Sequence, residues 1–358
     1  MKTQTKKQKL GQFYTKQYDY ILQNLHIPKD VMCIIEPFAG DGELVKFIQT
    51  ETSPDCLLLC YDIDPKQDYI IKQDTLIYPP DYTNKYVITN PPFLARNKAE
   101  DKTIFDKYEI NDFYKCFLKS LINTPCVGGI IILPINFWCS IRKNDVLMRR
   151  DFINTYTILR MNIFEERVFE DTPTTVCSFQ FKLKLKNTIQ TQPIEVFIFP
   201  TKEKLLLSIE NMNIHNNFMF GGDIYNLPNK GRYKVSRLTS KNITSIMKEN
   251  ITNILVKCID DCENSKLGLK YIENEEEIYI DETPNQSART YATLVVIPSI
   301  DKDIQKIIVE NFNIFLNEER KKYNSLFLTN YRESKDIARK RISFDLVYSV
   351  VIYLLENM

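Results

Sequence analysis

Tyr86-Val87-Ile88-Thr89-Asn90-Pro91-Pro92-Phe93 opens as a short apolar run and stops at an asparagine, two prolines and an aromatic ring. Tyr, Val, Ile and Thr fit a pleated strand, and proline cannot donate to a ladder, so a strand is predicted over 86–89 with Asn90 at its end. The prolines have fixed φ and no N–H, which leaves a stiff backbone whose carbonyls are free to face a ligand. Asn90 adds a side-chain carbonyl. Two convergent acceptors can hold both N–H groups of an aromatic amine and help localise its lone pair, and Phe93 offers a flat face for the ring. A rigid turn would also explain Asn-Pro-Pro on its own. What favours a site is the sequence upstream.

There, Val31–Glu36 reads as a strand, followed by Glu36-Pro37-Phe38-Ala39-Gly40-Asp41-Gly42 and a helix from about Glu43. Glycines in a strand–helix turn let the backbone approach a ligand at the carboxyl edge of a sheet. The loop has one G-x-G and lacks the third glycine of the dinucleotide fingerprint. A second strand, Cys56–Asp62, carries the unbroken apolar run Leu57–Cys60 expected when both sheet faces are covered. Asp62 lies 22 residues after Gly40, near the ~20-residue spacing at which an acid meets ribose hydroxyls. Ile63 follows it, and Asp74 stands in a later loop where it could accept from an adenine amino group. Downstream, a helix is expected over Asn111–Asn123 and further strands over Val127–Leu133, Thr155–Phe164, Thr174–Leu185 and Ile194–Phe199. This alternation predicts an α/β fold with a parallel sheet and crossover helices. Past about residue 200 turn residues and charge blocks take over, and a boundary is placed at 195/196. The tail from Asp301 to Met358 reads as helical, with Ile304, Ile307, Ile308, Phe312 and Phe315 on one face.

The 358 residues allow two domains, and 44% hydrophobic with 26% charged residues is ordinary globular composition. Nine cysteines with no C-x2-C pair and only two histidines, His26 and His215, argue against a zinc site and suit a reducing compartment. The lysine-rich N-terminus has no apolar segment behind it, unlike a signal peptide. The longest apolar runs fall short of the ~20 residues of a membrane span. A soluble, intracellular protein with no metal is expected.

Net charge is +1, yet the charges are patterned. Residues 226–248 hold six basic and no acidic side chains, residues 320–341 eight basic and two acidic, and residues 260–282 nine acidic against two lysines. A neutral chain can still present a basic face. Lys230, Arg232, Tyr233, Lys234 and Arg237 are the candidate nucleic-acid contacts. The 320–341 block reads equally as a phosphate track or a solvated helix, and the acidic block as an exposed hairpin.

Taken together, the motifs are similar to those of the amino-methyltransferases that act on adenine N6. Asn90-Pro91-Pro92-Phe93 matches their catalytic motif. Glu36–Gly42 resembles the methionine-binding loop, which casts Glu36, Phe38, Ala39 and Gly40 as cofactor contacts. Asp62 and Ile63 resemble the ribose-binding segment, and Asp74 the residue beside the cofactor's adenine. Leu10-Gly11-Gln12-Phe13-Tyr14-Thr15 is similar to the cofactor-capping segment, giving Gln12, Phe13, Tyr14 and Thr15 the same role. Arg167-Val168-Phe169-Glu170 resembles a late motif whose aromatic, here Phe169, stacks on an extruded base. The cap-first order is that of the gamma class of DNA methyltransferases. The resemblance spans about residues 10–185. It implies a Rossmann-like S-adenosylmethionine-dependent methyltransferase sheet with a C-terminal α+β target-recognition domain. It also implies S-adenosyl-L-methionine as cofactor, double-stranded DNA as substrate, base flipping, and a cognate restriction endonuclease as a possible partner. Similar motifs also serve enzymes that methylate adenine in structured RNA or a glutamine amide in protein, and a non-catalytic binding subunit of the same fold is a further alternative.

Overall fold

The computed structural model describes residues 11, 15–170, 172–185, 188–281, 289–333 and 338–358. In chain order the first part contains β1 (Cys33–Glu36), α1 (Glu43–Glu51), β2 (Leu57–Asp62), β3 (Ile71–Lys72), β4 (Tyr86–Thr89) and α2 (Phe113–Asn123). It continues with β5 (Gly128–Pro134), α3 (Lys143–Thr155), β6 (Tyr156–Phe164), β7 (Val176–Leu183), β8 (Ile194–Phe199) and β9 (Glu203–Leu207). All nine strands form one sheet, in the order β3-β2-β1-β4-β5-β7-β6-β8-β9. From β1 the chain first builds outward through β2 and β3, then returns to add β4 and β5 on the other side. The strand order therefore reverses between β1 and β4, the position at which open α/β sheets bind ligands beyond their carboxyl ends.

β4 and β5 are buried along their whole length, as strands covered on both faces must be. On one face Ile34, Ile88, Ile130 and Ile132 pack with Leu44, Phe47 and Ile48 of α1 and with Ile21, Leu22 and Leu25. Elsewhere Phe152 of α3 meets Phe179 and Phe181 of β7 edge-on.

The parallel expectation holds for β1 to β5 and for the β6–β8 pair, and is broken at β7 and β9. β7 lies antiparallel between β5 and β6, and β9 antiparallel to β8. Leu57, expected to be covered, is 57% exposed, because it starts a strand that only the two-residue β3 flanks on its outer side. The expected boundary at 195/196 falls inside the sheet. The compact unit runs to Asn211, with Trp138–Ser140 grouped instead with Met212–Met358, since β8 and β9 extend the sheet by parallel and antiparallel pairing.

The second unit contains β10 (Lys234–Arg237), β11 (Ile251–Lys257), β12 (Gly268–Tyr271), β13 (Tyr291–Ile297), α4 (Lys302–Lys322), β14 (Thr329–Glu333), β15 (Ala338–Arg341) and α5 (Phe344–Glu356). Its antiparallel sheet has the order β10-β13-β11-β12. Ile254, Val256, Leu294 and Val296 of that sheet share a core with Ile308, Phe312 and Leu316 of α4 and Val347, Val350 and Val351 of α5. Asp301 and Ser343 cap the two helices, accepting from Ile304 N (2.8 Å) and Leu346 N (3.2 Å), as short polar N-caps do.

Two expectations are corrected here. The tail is not continuously helical, because the β14–β15 hairpin separates α4 from α5, and Ile307 is 43% exposed rather than on the buried stripe. The 260–282 and 320–341 blocks are not simply surface. Asp260 is fully buried and takes a two-pronged ion pair from Arg320, 2.7 and 3.2 Å. Arg339 reaches Asp261 at 2.8 Å, and Lys340 is buried. Opposite charges in the two blocks pair with each other, so these residues serve the interior of the unit. Among the described residues no helix is long and apolar enough to cross a membrane.

Candidate active site at the carboxyl edge of the sheet

β1 pairs with β2 on one side and β4 on the other, both parallel, with Glu36 level with Cys60 and Ile35 level with Val87. Register alone therefore brings Asp62, the Glu36–Gly42 loop and Asn90 to one edge. Hydrogen bonds tie them together. Thr89 Oγ1 donates to Glu36 Oε1 (2.5 Å), and Phe38 N donates to the same oxygen (3.0 Å). Gly40 N donates to Asp62 Oδ2 (2.9 Å) and Asp64 N to Asp62 Oδ1 (2.8 Å). Thr75 Oγ1 donates to Pro37 O (2.9 Å). Glu36, Phe38, Ala39, Gly40, Asp62, Asp74 and Asn90 thus belong to one continuous network or its immediate loops.

The glycine loop turns under tight constraint. Gly42, the N-cap of α1, has φ +84°, and a Cβ there would lie 2.2 Å from the Tyr69 hydroxyl. The positive φ strains any L side chain there, and the Tyr69 side chain would have to move aside for one. Glu36 is fully buried, and its Oε2 has no hydrogen-bond partner among the described residues. Burial pushes its carboxyl up to about 8, against hydrogen bonds from Thr89 and Phe38 that lower it.

Asp62 is 4% exposed, and both its oxygens accept backbone N–H groups. The carboxylate clamps the glycine loop to the end of β2 and keeps one further lone pair on each oxygen for a hydroxyl. Asp74 holds its own turn, Oδ1 accepting from Leu76 N (3.0 Å) and Ile77 N (3.1 Å). Ile63 is 42% exposed. Thr89, Thr75 and Tyr69 had no role in the sequence reading. Only Thr89, adjacent to Asn90 in a strand, carried a local signal.

At the catalytic candidate, Pro91 is buried while Asn90, Pro92 and Phe93 are half-buried. Asn90 Nδ2 donates to Thr15 Oγ1 (3.2 Å), and Phe93 N donates to Gly11 O (3.0 Å). The Phe93 ring stands edge-on to Tyr114, centroids 6.2 Å apart. Below it α2 begins in a buried charged group, with Lys115 paired to Asp145 and bonded to Asn111 Oδ1 at 2.9 Å. Asp112 is pushed up to about 6, chiefly by burial, against the nearby Lys115 charge. Phe169 does not offer the open face expected of it. It is 4% exposed and packs in the core that Phe93 borders, while Arg167 Nε holds its carbonyl at 2.9 Å. Gln12, Phe13 and Tyr14 lie outside the described residues.

In the second unit the five candidate contacts divide. Backbone N–H groups of Lys230 and Arg232 donate to Glu356 Oε2 (2.5 Å) and Oε1 (2.8 Å), and Lys230 Nζ donates to Glu356 O (3.2 Å) at the end of α5. Arg237 lies over the Phe344 ring at 5.1 Å, and Tyr233 packs against the core. Tyr233 and Arg237 are therefore engaged internally; Lys230, Arg232 and Lys234 are exposed, Lys230 with its ammonium held at the end of α5.

No protein-family model matches the sequence, and no curated protein does. Solved structures with a similar fold include a modification subunit of a type I restriction enzyme from Vibrio vulnificus (TM-score 0.42, 13% identity, 55% of this chain and 49% of that chain). Another is a type I restriction-modification methyltransferase subunit from Streptococcus thermophilus (TM-score 0.39, 12% identity, 57% and 50%). A third is the M protein of the type I restriction enzyme EcoKI (TM-score 0.38, 16% identity, 52% and 48%). This chain spans about half the length of each. At such identities and scores the likeness carries no argument about activity.

Proposed function

We propose that the chain is a DNA methyltransferase that transfers a methyl group from S-adenosyl-L-methionine to N6 of an adenine extruded from duplex DNA. The observation that carries this reading is the placement of Asn90-Pro91-Pro92-Phe93. It leaves the carboxyl end of β4 at the point where strand order reverses, bonded through Thr89 to Glu36 of the glycine loop.

The residues at that edge fit the cofactor. Its amino-acid end is cationic, and Glu36 presents a buried oxygen without a partner among the described residues, a site that a cation would favour in ionised form. Glu36, Phe38, Ala39 and Gly40 would hold that end, Asp62 the ribose hydroxyls, and Ile63 and Asp74 the adenine, with Gln12, Phe13, Tyr14 and Thr15 assigned by resemblance. When bound, the sulfonium supplies an electrophilic methyl group with a thioether leaving group.

The chain's own part is positioning. The Asn90 side-chain oxygen and the Pro91 carbonyl accept the two N–H groups of the target amine, turning its lone pair toward the methyl group. Pro92 keeps the turn rigid and Phe93 stacks on the base. Such stacking contributes roughly 1–3 kcal/mol, offsetting part of the few kcal/mol that extrusion costs. Phe169 lies buried in the core that Phe93 borders and would meet the base only by swinging out of it. The second unit reads the target, with Arg232 and Lys234 on phosphates or base edges.

The test is transfer of labelled methyl from the cofactor to duplex DNA, structured RNA and protein in parallel. Label in DNA is the expected outcome. Label confined to RNA or protein, or no transfer at all, contradicts the reading.

A further inference from the structure

One peptide unit in the turn after Asp74 is held from both sides. Asp74 Oδ1 accepts Leu76 N (3.0 Å) and Ile77 N (3.1 Å), the local turn that an aspartate makes with its own backbone. The carbonyl of that same Leu76–Ile77 peptide is taken by side chains far along the sequence. Tyr108 Oη donates to Leu76 O at 2.9 Å and Lys107 Nζ at 3.3 Å, and Lys107 Nζ also donates to Ile77 O at 2.5 Å. Hydrogen bonds chained through one peptide in this way strengthen each other. Asp74 is half-buried, and among the described residues its Oδ2 accepts no hydrogen bond.

Lys107 and Tyr108 end a short helix, Thr103–Tyr108, in the excursion between Phe93 and α2. Ala95 pairs with Asp112 at the base of that excursion, and Arg96 N donates to Asn111 O at 2.9 Å. Phe105, fully buried, stacks on Phe113 with centroids 4.5 Å apart. The excursion is thus a braced arm that reaches the Asp74 turn. Burial first, then Cys116 and Asp74, push the Tyr108 hydroxyl up to about 12, so it remains a donor at neutral pH. With the carbonyl of the peptide fixed, its N–H stays aimed at Asp74 Oδ1. The carboxylate is held in one orientation, with Oδ2 turned to the remaining acceptor position.

We propose that Tyr108 and Lys107 are positioning residues for adenine selection in the cofactor: by gripping the Leu76–Ile77 peptide they fix Asp74, whose Oδ2 accepts from the adenine amino group. The resemblance matches neither residue to a motif. The inference rests on the cofactor assignment above.

The probes are S-adenosyl-L-homocysteine and S-inosyl-L-homocysteine, which carry an amino and an oxo group at the same purine carbon. Their dissociation constants are measured by titration calorimetry on the full chain. Wild type should prefer the adenosyl compound, because a carboxylate accepts from an amino group and finds no donor in an oxo group. Tyr108→Phe keeps the ring and removes the donor. It is expected to weaken the adenosyl compound roughly three- to tenfold, the scale of one lost hydrogen bond, and to leave the inosyl compound within about twofold. Combining it with Lys107→Met should shrink the preference further. Lys107→Met alone reads the same change if Tyr108→Phe fails to melt cooperatively. The inference is overturned if the preference is unaltered, whether both compounds weaken together or neither does, or if wild type binds the two alike. A wild type that binds neither compound overturns the cofactor assignment and the inference with it.

Discussion

Glu36 is the residue whose chemistry depends most on its surroundings. Fully buried, its carboxyl is pushed up to about 8 by desolvation from an ordinary value of 4.5. Between those two values the native state holds a proton that the unfolded chain has released. Its contribution therefore makes stability fall as pH rises through that interval and level off above it. Asp112, pushed up to about 6, acts with the same sign over a lower range. Glu36→Gln is expected to be the more stable protein, relative to wild type, at pH 8.5 than at pH 5, as read from denaturant midpoints without cofactor. Parallel pH profiles for the two proteins would show that Glu36 is ionised or solvated. At this scale the sequence marked candidates by residue type and position, and the structure brings Glu36, Asp62, Asn90 and the prolines to one edge of the sheet. The sequence did not disclose Thr89 or Thr75, whose bonds reach 53 and 38 residues along the chain, because such contacts are created by strand register. Nor did it show that Phe169 is buried, since an aromatic after a strand looks the same whether it faces the core or a ligand.

Elements were legible where their ends are chemically marked. β4 ends at Asn90-Pro91, and β8 matches its expected bounds, Ile194–Phe199. Pairing was less legible. In β7 Cys177, Phe179 and Phe181 alternate with Ser178, Gln180 and Lys182, the pattern common in antiparallel sheets, yet those residues do not state that the strand lies between β5 and β6. The tail was read as helical because α4 and α5 dominate it, and the charged hairpin between them has no period that a helix forbids. Asp260 joins these elements. It accepts Arg320 of α4 and Leu267 N (2.9 Å), its N–H donates to Lys340 O of β15 (3.1 Å), and its carbonyl accepts Arg339 Nε (2.8 Å). Removing one partner of a buried ion pair leaves the other charge uncompensated, at a cost of roughly 3–5 kcal/mol. Asp260→Ala is expected to lower the melting temperature of the second unit's transition by several degrees or abolish it. A shift of a degree or less would mean that the pair contributes little.

For the whole molecule, net charge was a poor guide. The +1 total conceals patterned blocks, of which Asp260 and Asp261 pair with Arg320 and Arg339 within the second unit. Arg232→Ala combined with Lys234→Ala is expected to weaken duplex binding and to reduce the slope of log K against log salt by about 2, one for each lost phosphate contact. An unchanged slope would place the DNA-facing surface elsewhere. The claim on which all the rest depends is that Asn90 and the prolines hold an adenine amine. Its most direct test is the nucleoside composition of duplex DNA incubated with S-adenosyl-L-methionine and either wild type or Asn90→Ala. N6-methyladenine should form with wild type and drop by roughly a hundred- to a thousandfold in the variant, the scale of losing one preorganised transition-state contact, while cofactor binding persists. Methylation on another base, or equal N6-methyladenine from both proteins, would contradict it.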